Sequence, residues 1–479
     1  MNTTRRSARS AEAASTLRAP TDFGIHTPPV RARFLLSGAM AIACSTSQAQ
    51  VQTQTQARLP GLETAYHAAQ ASDPTIQAAR FTLDIALQKL PEARASLMPV
   101  VGLSGGINAV QANTTFSNLP PIERSGGENT WTLQLTQPLF RIDNLLATQQ
   151  APLIIESAQA QYEQAEQDLL LRVAQAYFAV NEARDAIAAA DAQIAAMTQQ
   201  LQEVSKGFNA GIRAVTDVDD TKARLGTAQA QQIAARNDLD NARADLDRLT
   251  GTSYATLAEL NPDTSLPAPQ PAVIADWVAQ ARDNQPLVRA QRAAVQVASL
   301  DVDRARSGHI PTIDFVANVG HNFSNHSLTT PDDYSTKAAQ HAVGIQVNVP
   351  LFAGGAIVSK VSQAESALNK ARSDLEAASR SAASDAQHAY TGVTSGLAQV
   401  ASLVTAVQAG NSALTGNKAG FRVGYRTNVD VLNAEQQLFA SQRDLSKARY
   451  DVLLQGMKLK AAAGILGEHD LAAIDSLLH

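Results

Sequence analysis

The chain has 479 residues, a formal net charge of −5, 17% charged and only 5% aromatic residues. Acids and bases are interspersed, so no basic footprint for nucleic acid exists. No apolar run reaches the roughly 18 residues of a transmembrane helix, and the single cysteine, Cys44, has no partner for an internal disulfide.

Residues 1–49 read as a signal region: Arg31 and Arg33 precede an apolar run from Phe34 to Cys44, followed by the small-residue site Ser47-Gln48-Ala49. Either the basic region is extended or the true start lies downstream of Met1. Cys44 follows Ala41-Ile42-Ala43, which weakly resembles a lipoprotein processing box without its usual Leu. Acylation and removal with the signal are the two readings of Cys44.

A first unit spans 58–260. It opens with a helical stretch from about Pro60 to Leu97, rich in Ala, Gln and Arg, ending before Pro99. The period then changes from 3.6 to 2. Val101, Leu103, Ile107 and Ala109 alternate with Gly102, Ser104, Gly106 and Asn108, and Trp131, Leu133 and Leu135 alternate with Thr130, Thr132, Gln134 and Thr136. These predict strands near 100–111 and 129–138, about ten residues each, joined by a polar loop over 112–128. A long helix follows over 141–206; at about 1.5 Å per residue it would reach roughly 100 Å, a length that calls for coiled-coil packing. Gly207 marks a reversal, and a return helix runs over about 217–250.

Residues 261–272 form a stiff linker carrying Pro262, Pro267, Pro269 and Pro271. A second unit, 273–479, repeats the pattern. It has a helical stretch from Ala275 to His309, strands near 312–322 and 341–350 around a loop at 323–338, a long helix over 353–419, a reversal at Gly420, a return helix over 430–463 and a C-terminal segment. The two units align residue by residue at a separation of about 212. Pro74 answers Pro286, Ala93-Arg94 answers Ala305-Arg306, and Pro138-Leu139-Phe140 answers Pro350-Leu351-Phe352. One inserted residue later, Gly207-Phe208 answers Gly420-Phe421, Arg213 answers Arg426, and Asp217-Val218 answers Asp430-Val431. The chain is a tandem duplication.

Strands of about ten residues with one apolar face suit a transmembrane barrel; a soluble sandwich has strands of the same length. An open four-stranded sheet leaves two unpaired edges, and closed barrels start at about eight strands. Oligomerisation follows, and three chains would supply twelve strands.

With these features the chain resembles the TolC-like outer-membrane efflux proteins over residues 60 to 470. The resemblance rests on the tandem halves, the Ala-Arg…Pro lead-in to each hairpin, the Pro-Leu-Phe strand ends and the glycine-aspartate helix turns. Residues 419–464, AGFRVGYRTNVDVLNAEQQLFASQRDLSKARYDVLLQGMKLKAAAG, are especially similar to members serving type I secretion. The resemblance implies an α+β membrane channel: a homotrimer with a 12-stranded outer-membrane β-barrel and a 12-helix periplasmic α-barrel. It implies a periplasmic adaptor and an inner-membrane ABC or RND transporter as partners, contact with outer-membrane lipid, no cofactor and no catalysis.

The family's periplasmic gate maps onto the two turns. Asp217 matches the gate aspartate, Arg426 the arginine that bridges to it when closed, and Asp430 a pore-facing acid that threefold symmetry would make a ring. Phe421 stands where the family has a hydrogen-bonding tyrosine, and Asn433 where it has a second pore-facing aspartate. Arg213 answers Arg426 by the repeat but is not the family latch. Asp217 and Asp430 also suit N-cap positions of the return helices, and both roles can coexist. The family's adaptor-contact segments match Ala210-Gly211-Ile212 and Val423-Gly424-Tyr425, beside Gly207 and Gly420; the glycines fit and their neighbours differ. His309, His321, His326 and His341 lack metal-ligand spacing, Gly354-Gly355 reads as a strand-to-helix turn, and Glu435 and Gln436 read as ordinary helix-face residues. Type I protein secretion is the favoured export route, with the outer-membrane duct of an RND-type multidrug pump, or both, as the alternative, against a non-transport periplasmic scaffold.

Overall fold

The computed structural model describes residues 59–479 except 116, 118, 262, 263, 328 and 329. The signal region 1–49 with Cys44, the boundary at 58 and Pro262 of the linker lie outside the described residues.

The stretch expected as one helix over 60–97 is three: α1 (Leu62–Ser72), α2 (Pro74–Leu87) and α3 (Lys89–Ala95). The break has a local cause. A residue before proline is driven out of the helical region, and Asp73 is extended at φ −69°, ψ 118°. Pro74 then occupies the first helical turn, where its missing N–H costs nothing, and the Asp73 carboxylate accepts from the Thr75 N–H at 2.7 Å. The second unit repeats the device. The expected helix over 275–309 is α6 (Ile274–Asn284) and α7 (Pro286–Ser307), with Gln285 accepting from the Val288 N–H at 2.9 Å.

Strands β1 (Val100–Thr114), β2 (Ile122–Phe140), β3 (Thr312–Ser324) and β4 (Thr336–Asn348) form one antiparallel meander in the order β1-β2-β3-β4. β1 and β2, at 15 and 19 residues, exceed the expected ten. Their ladder continues through the expected polar loop as far as Thr114 opposite Ile122. The register sorts the faces. Leu103 lies opposite Leu133, Leu133 opposite Val319 and Val319 opposite His341, while Ser104, Thr132, Gly320 and Gln340 line the other face. Opposed residues share a face, so the sheet has an apolar and a polar side. The apolar side is uncovered in the protomer: Leu103 is 73% and Val343 73% exposed. The β2–β3 pairing joins the two units, and β1 and β4 are the free edges.

Two helical hairpins leave the sheet: α4 (Ile142–Asn209) with α5 (Val215–Thr250), and α8 (Ala356–Arg422) with α9 (Asn428–Ala462). α4 and α8, at 68 and 67 residues, each extend roughly 100 Å at about 1.5 Å per residue. At the top of α8, Gly354 and Gly355 both take left-handed φ, 57° and 83°, which turns the chain from strand to helix. Arg141, at the top of α4, clamps the two units instead, donating to both Asp314 oxygens at 2.9 and 2.7 Å.

The main core sits midway along the hairpins. There Leu62 and Tyr66 of α1, Leu169, Leu170, Val173, Tyr177 and Phe178 of α4, and Leu246 and Leu249 of α5 pack together. Tyr450, Leu453 and Met457 of α9 join them, with Leu471 and Ile474 of α10 (Glu468–Asp475). Each fully buried leucine contributes about 1.5–3 kcal/mol. The C-terminal segment ties the start of α1 into this core. Asp475 accepts the Leu62 N–H at 2.7 Å and the Glu63 N–H at 3.1 Å, and Leu478 bridges Leu260 at the end of the first unit.

Candidate functional site

The sheet-distal ends of both hairpins meet in a small core of Val204, Val218, Phe421 and Val431, flanked by Leu201 and Leu414. The turns are built alike. After α4, Gly211 takes φ 71° and the Ile212 N–H returns to Gly207 O at 2.9 Å; after α8, Gly424 takes φ 84° and the Tyr425 N–H returns to Gly420 O at 2.9 Å. This is the glycine C-cap that satisfies the last helical carbonyls. The reversals therefore fall at Gly211 and Gly424, not at the expected Gly207 and Gly420, which lie inside the helices. Those two glycines have a different purpose. A Cβ on Gly207 would meet Arg213 Cγ at 2.6 Å, and one on Gly420 would meet Arg426 Cγ at 2.7 Å. Each lets an arginine stem cross the last helical turn.

The two arginines then diverge. Arg213 reaches across the repeat: its guanidinium stands 3.9 Å from the Phe421 ring centroid, a cation–π distance, and donates to Phe421 O at 3.0 Å. Phe421 is 2% exposed, held from both sides of the duplication. Arg426 is exposed and lines an open groove of about 750 Å³ with Asn417, Asp430, Asn433 and Gln437. Among the described residues Asp217 and Arg426 form no ion pair within the protomer.

Asp217 and Asp430 are not N-caps. The caps are Ala214 and Thr427, and each aspartate occupies the third helical position. Asp430 completes a capping box: it accepts from the Thr427 N–H and hydroxyl, both at 2.9 Å, and its own N–H donates to that hydroxyl at 3.2 Å. The Thr427 N–H and hydroxyl, with the nearby Arg426 charge, hold the Asp430 carboxyl below the usual carboxylate range. Asn433 accepts from Arg224 Nη2 at 2.8 Å, while Gln436 accepts from Arg224 Nη1 at 2.9 Å. At the apices Ile212, Val423 and Tyr425 are 75%, 70% and 89% exposed, an apolar rim unusual at the end of a polar helix pair.

The structure adds residues that sequence reasoning missed. Asn428, 1% exposed, accepts from Gln200 at 2.8 Å and donates to Asp217 O at 3.1 Å and to Thr221 Oγ1 at 2.9 Å. It joins α4, α5 and α9 at one point. The spacing of Asp217, Thr221 and Arg224, one helical face, was the available signal. Glu435, expected as an ordinary helix-face residue, is 0% exposed and lies 2.8 Å from Lys418 Nζ. Among the described residues no three His, Cys, Asp or Glu side chains gather as metal ligands, and no helix is long and apolar enough to cross a membrane.

An amphipathic sheet with two free edges, standing on paired hairpins roughly 100 Å long with apolar apices, is the architecture of an outer-membrane channel subunit. The chain belongs to the outer membrane efflux protein family, whose sequence profile matches it twice, over residues 65–252 and 277–465, once per structural unit. It is 32% identical over 432 residues to the outer membrane protein TolC of Escherichia coli (strain K12), covering 87% of this chain and 85% of that one. It is 31% identical over 420 residues to the alkaline protease secretion protein AprF of Pseudomonas aeruginosa, covering 86% of each. The crystal structure of VceC from Vibrio cholerae shares the fold with a TM-score of 0.71 at 19% identity, covering 84% of this chain and 96% of that one. The protein is thus an outer-membrane transport protein of a family of channels rather than enzymes.

Proposed function

We propose that three copies of this chain close into a channel-tunnel that completes a three-part export machine. Twelve strands form a barrel whose apolar face meets outer-membrane lipid, and twelve helices form a tube across the periplasm. The observation that carries this reading is the sheet. Its apolar side and both edges are uncovered, while the β2–β3 pairing already supplies a template for joining the end of one unit to the beginning of the next.

The tips are the gate. Asp217 and Arg426 bridge when the tunnel is shut; an exposed pair is worth about 0–1 kcal/mol, which suits a latch that must release. Asp430 from each copy forms one acidic ring that favours cations, with Asn433 leaving the second ring uncharged and Phe421 packing where a tyrosine would bond. The apolar apices around Gly207, Gly211, Ile212, Gly420, Gly424 and Tyr425 receive the periplasmic adaptor.

The cargo route is type I protein secretion from an inner-membrane ABC transporter. Its support is the similarity over most of the chain to a protease secretion protein, together with residues 419–464. The test is the secreted proteome of a strain lacking the chain against the complemented strain. Loss of one or a few large proteins is expected. An unchanged proteome with raised drug sensitivity would overturn the route in favour of an RND-type multidrug pump.

A further inference from the structure

We infer that Lys418 and Glu435 are a brace that fixes α9 against α8 at the gate, an inference that rests on the gate reading above. Glu435 is fully buried, and its ion pair with Lys418 Nζ, at 2.8 Å, spans the hairpin from α8 to α9. Neither carboxylate oxygen is met by a hydrogen bond of good geometry. Among the described residues, Lys418 is the one ion-pair partner of this carboxylate. Glu435 is the buried member and Lys418 is 35% exposed, so removing the lysine leaves a buried carboxylate without a counter-charge, far costlier than losing a surface bridge, while removing the glutamate releases α8 from α9.

The position gives the pair its role. Asn417, next to Lys418, and Ala434, next to Glu435, line the groove that holds Arg426, Asp430 and Asn433. The brace lies immediately behind that groove. A slide of α9 along α8 by two residues, about 3 Å, would carry the charges out of contact. Motion that opens the tips must then either carry α8 and α9 together or strand a buried carboxylate. Among the described residues the first unit has no such device. By the repeat, Lys418 corresponds to Ser205 and Glu435 to Lys222, and Lys222 is an exposed residue paired with Asp219 on its own helix at 3.7 Å. Among the described residues, only the second hairpin, the one bearing Asp430 and Arg426, is locked across its two helices in this way. Lys418 and Glu435 are positioning residues: they act through the placement of Asp430 and Asn433.

The test is the conductance of the purified full-length protein in planar lipid bilayers, with thermal melting and oligomer retention measured in parallel. Glu435→Gln and Lys418→Met are each expected to raise closed-state conductance several-fold. The double variant, which removes both charges, should return toward the parent, since coupled residues are non-additive. Glu435→Asp keeps the charge but shortens its reach, and should fall between the parent and Glu435→Gln. Parental conductance in the single variants, with only a lowered melting temperature, would make the pair merely structural and overturn the inference. Asp430→Asn and Arg426→Ala separate the two levels. If they alter conductance and the brace variants do not, the brace fails and the gate stands; if they too are silent, the gate reading fails first.

Discussion

A single carboxylate at Asp73 starts one helix and anchors it to another. One oxygen accepts from the Thr75 N–H at 2.7 Å, and the other lies 2.8 Å from Arg172 Nη1 on α4. Burial by itself would raise this carboxyl, but the Thr75 bonds and Arg172 outweigh it and hold it below the ordinary range. A folded value below the unfolded one means that its stabilisation is complete above the ordinary Asp pKa of about 3.9 and is lost as pH falls through the folded value. Asp73→Asn retains a capping oxygen and loses the ion pair. It is expected to lower stability at neutral pH by on the order of 1–2 kcal/mol and to flatten the acid limb, so that parent and variant converge at low pH. Melting curves that remain parallel down to pH values below the carboxylate range would refute this. The single helix expected over 60–97 would run straight through Asp73. Asp-Pro announces a helix start, but nothing in the local pattern says that Arg172, far along the chain, completes it.

At the scale of the element, the hairpins show why glycine identity alone misplaces a turn. Gly207, Gly211, Gly420 and Gly424 are equally plausible breakers by type; only the left-handed φ at Gly211 and Gly424 separates reversal from close approach. Two α8 glycines turn this into a prediction. A Cβ on Gly416 would meet nothing within 4 Å, whereas one on Gly420 would meet Arg426 Cγ at 2.7 Å. Gly416→Ala should stabilise by about 0.5–1 kcal/mol through reduced backbone entropy. Gly420→Ala has the same entropic gain but must displace the Arg426 stem, and is expected to melt below Gly416→Ala. Equal melting temperatures would show that the arginine stem moves aside freely. The duplication and the change of period were legible because a strand with one apolar face declares itself in alternation. The buried side of these Ala-rich helices was not. Alanine on every face leaves no apolar stripe, so Glu435, Asn428 and Gln200 look like their exposed neighbours until the helices are packed.

For the whole molecule, the internal repeat dictates how one copy should meet the next. Within the protomer β2 pairs with β3 so that Leu133 faces Val319 and Leu135 faces Ala317. Moving β2 onto β4 and β3 onto β1 by the repeat period places Ile345 opposite Ile107, and Val347 opposite Gly105, of the neighbouring copy. Ile345 and Ile107 are 66% and 84% exposed in the protomer, so replacing both leaves no cavity. Directly opposed residues in an antiparallel pair lie about 4.5–5.5 Å apart at Cα, inside the roughly 4.4–6.8 Å range of a disulfide. With Cys44 changed to Ser, the pair Ile345→Cys and Ile107→Cys should form intermolecular disulfides in assembled protein. Ile345→Cys with Gly106→Cys should not, because a one-residue step turns the side chain to the opposite face. Cross-linking through position 106 would mean a slipped seam, and no cross-link at either position would mean that the two edges do not meet. The size of the largest cross-linked species then counts the copies. A ladder ending at three closes twelve strands, whereas one ending at two would close eight, the smallest ring barrels are known to form, and would replace the trimer.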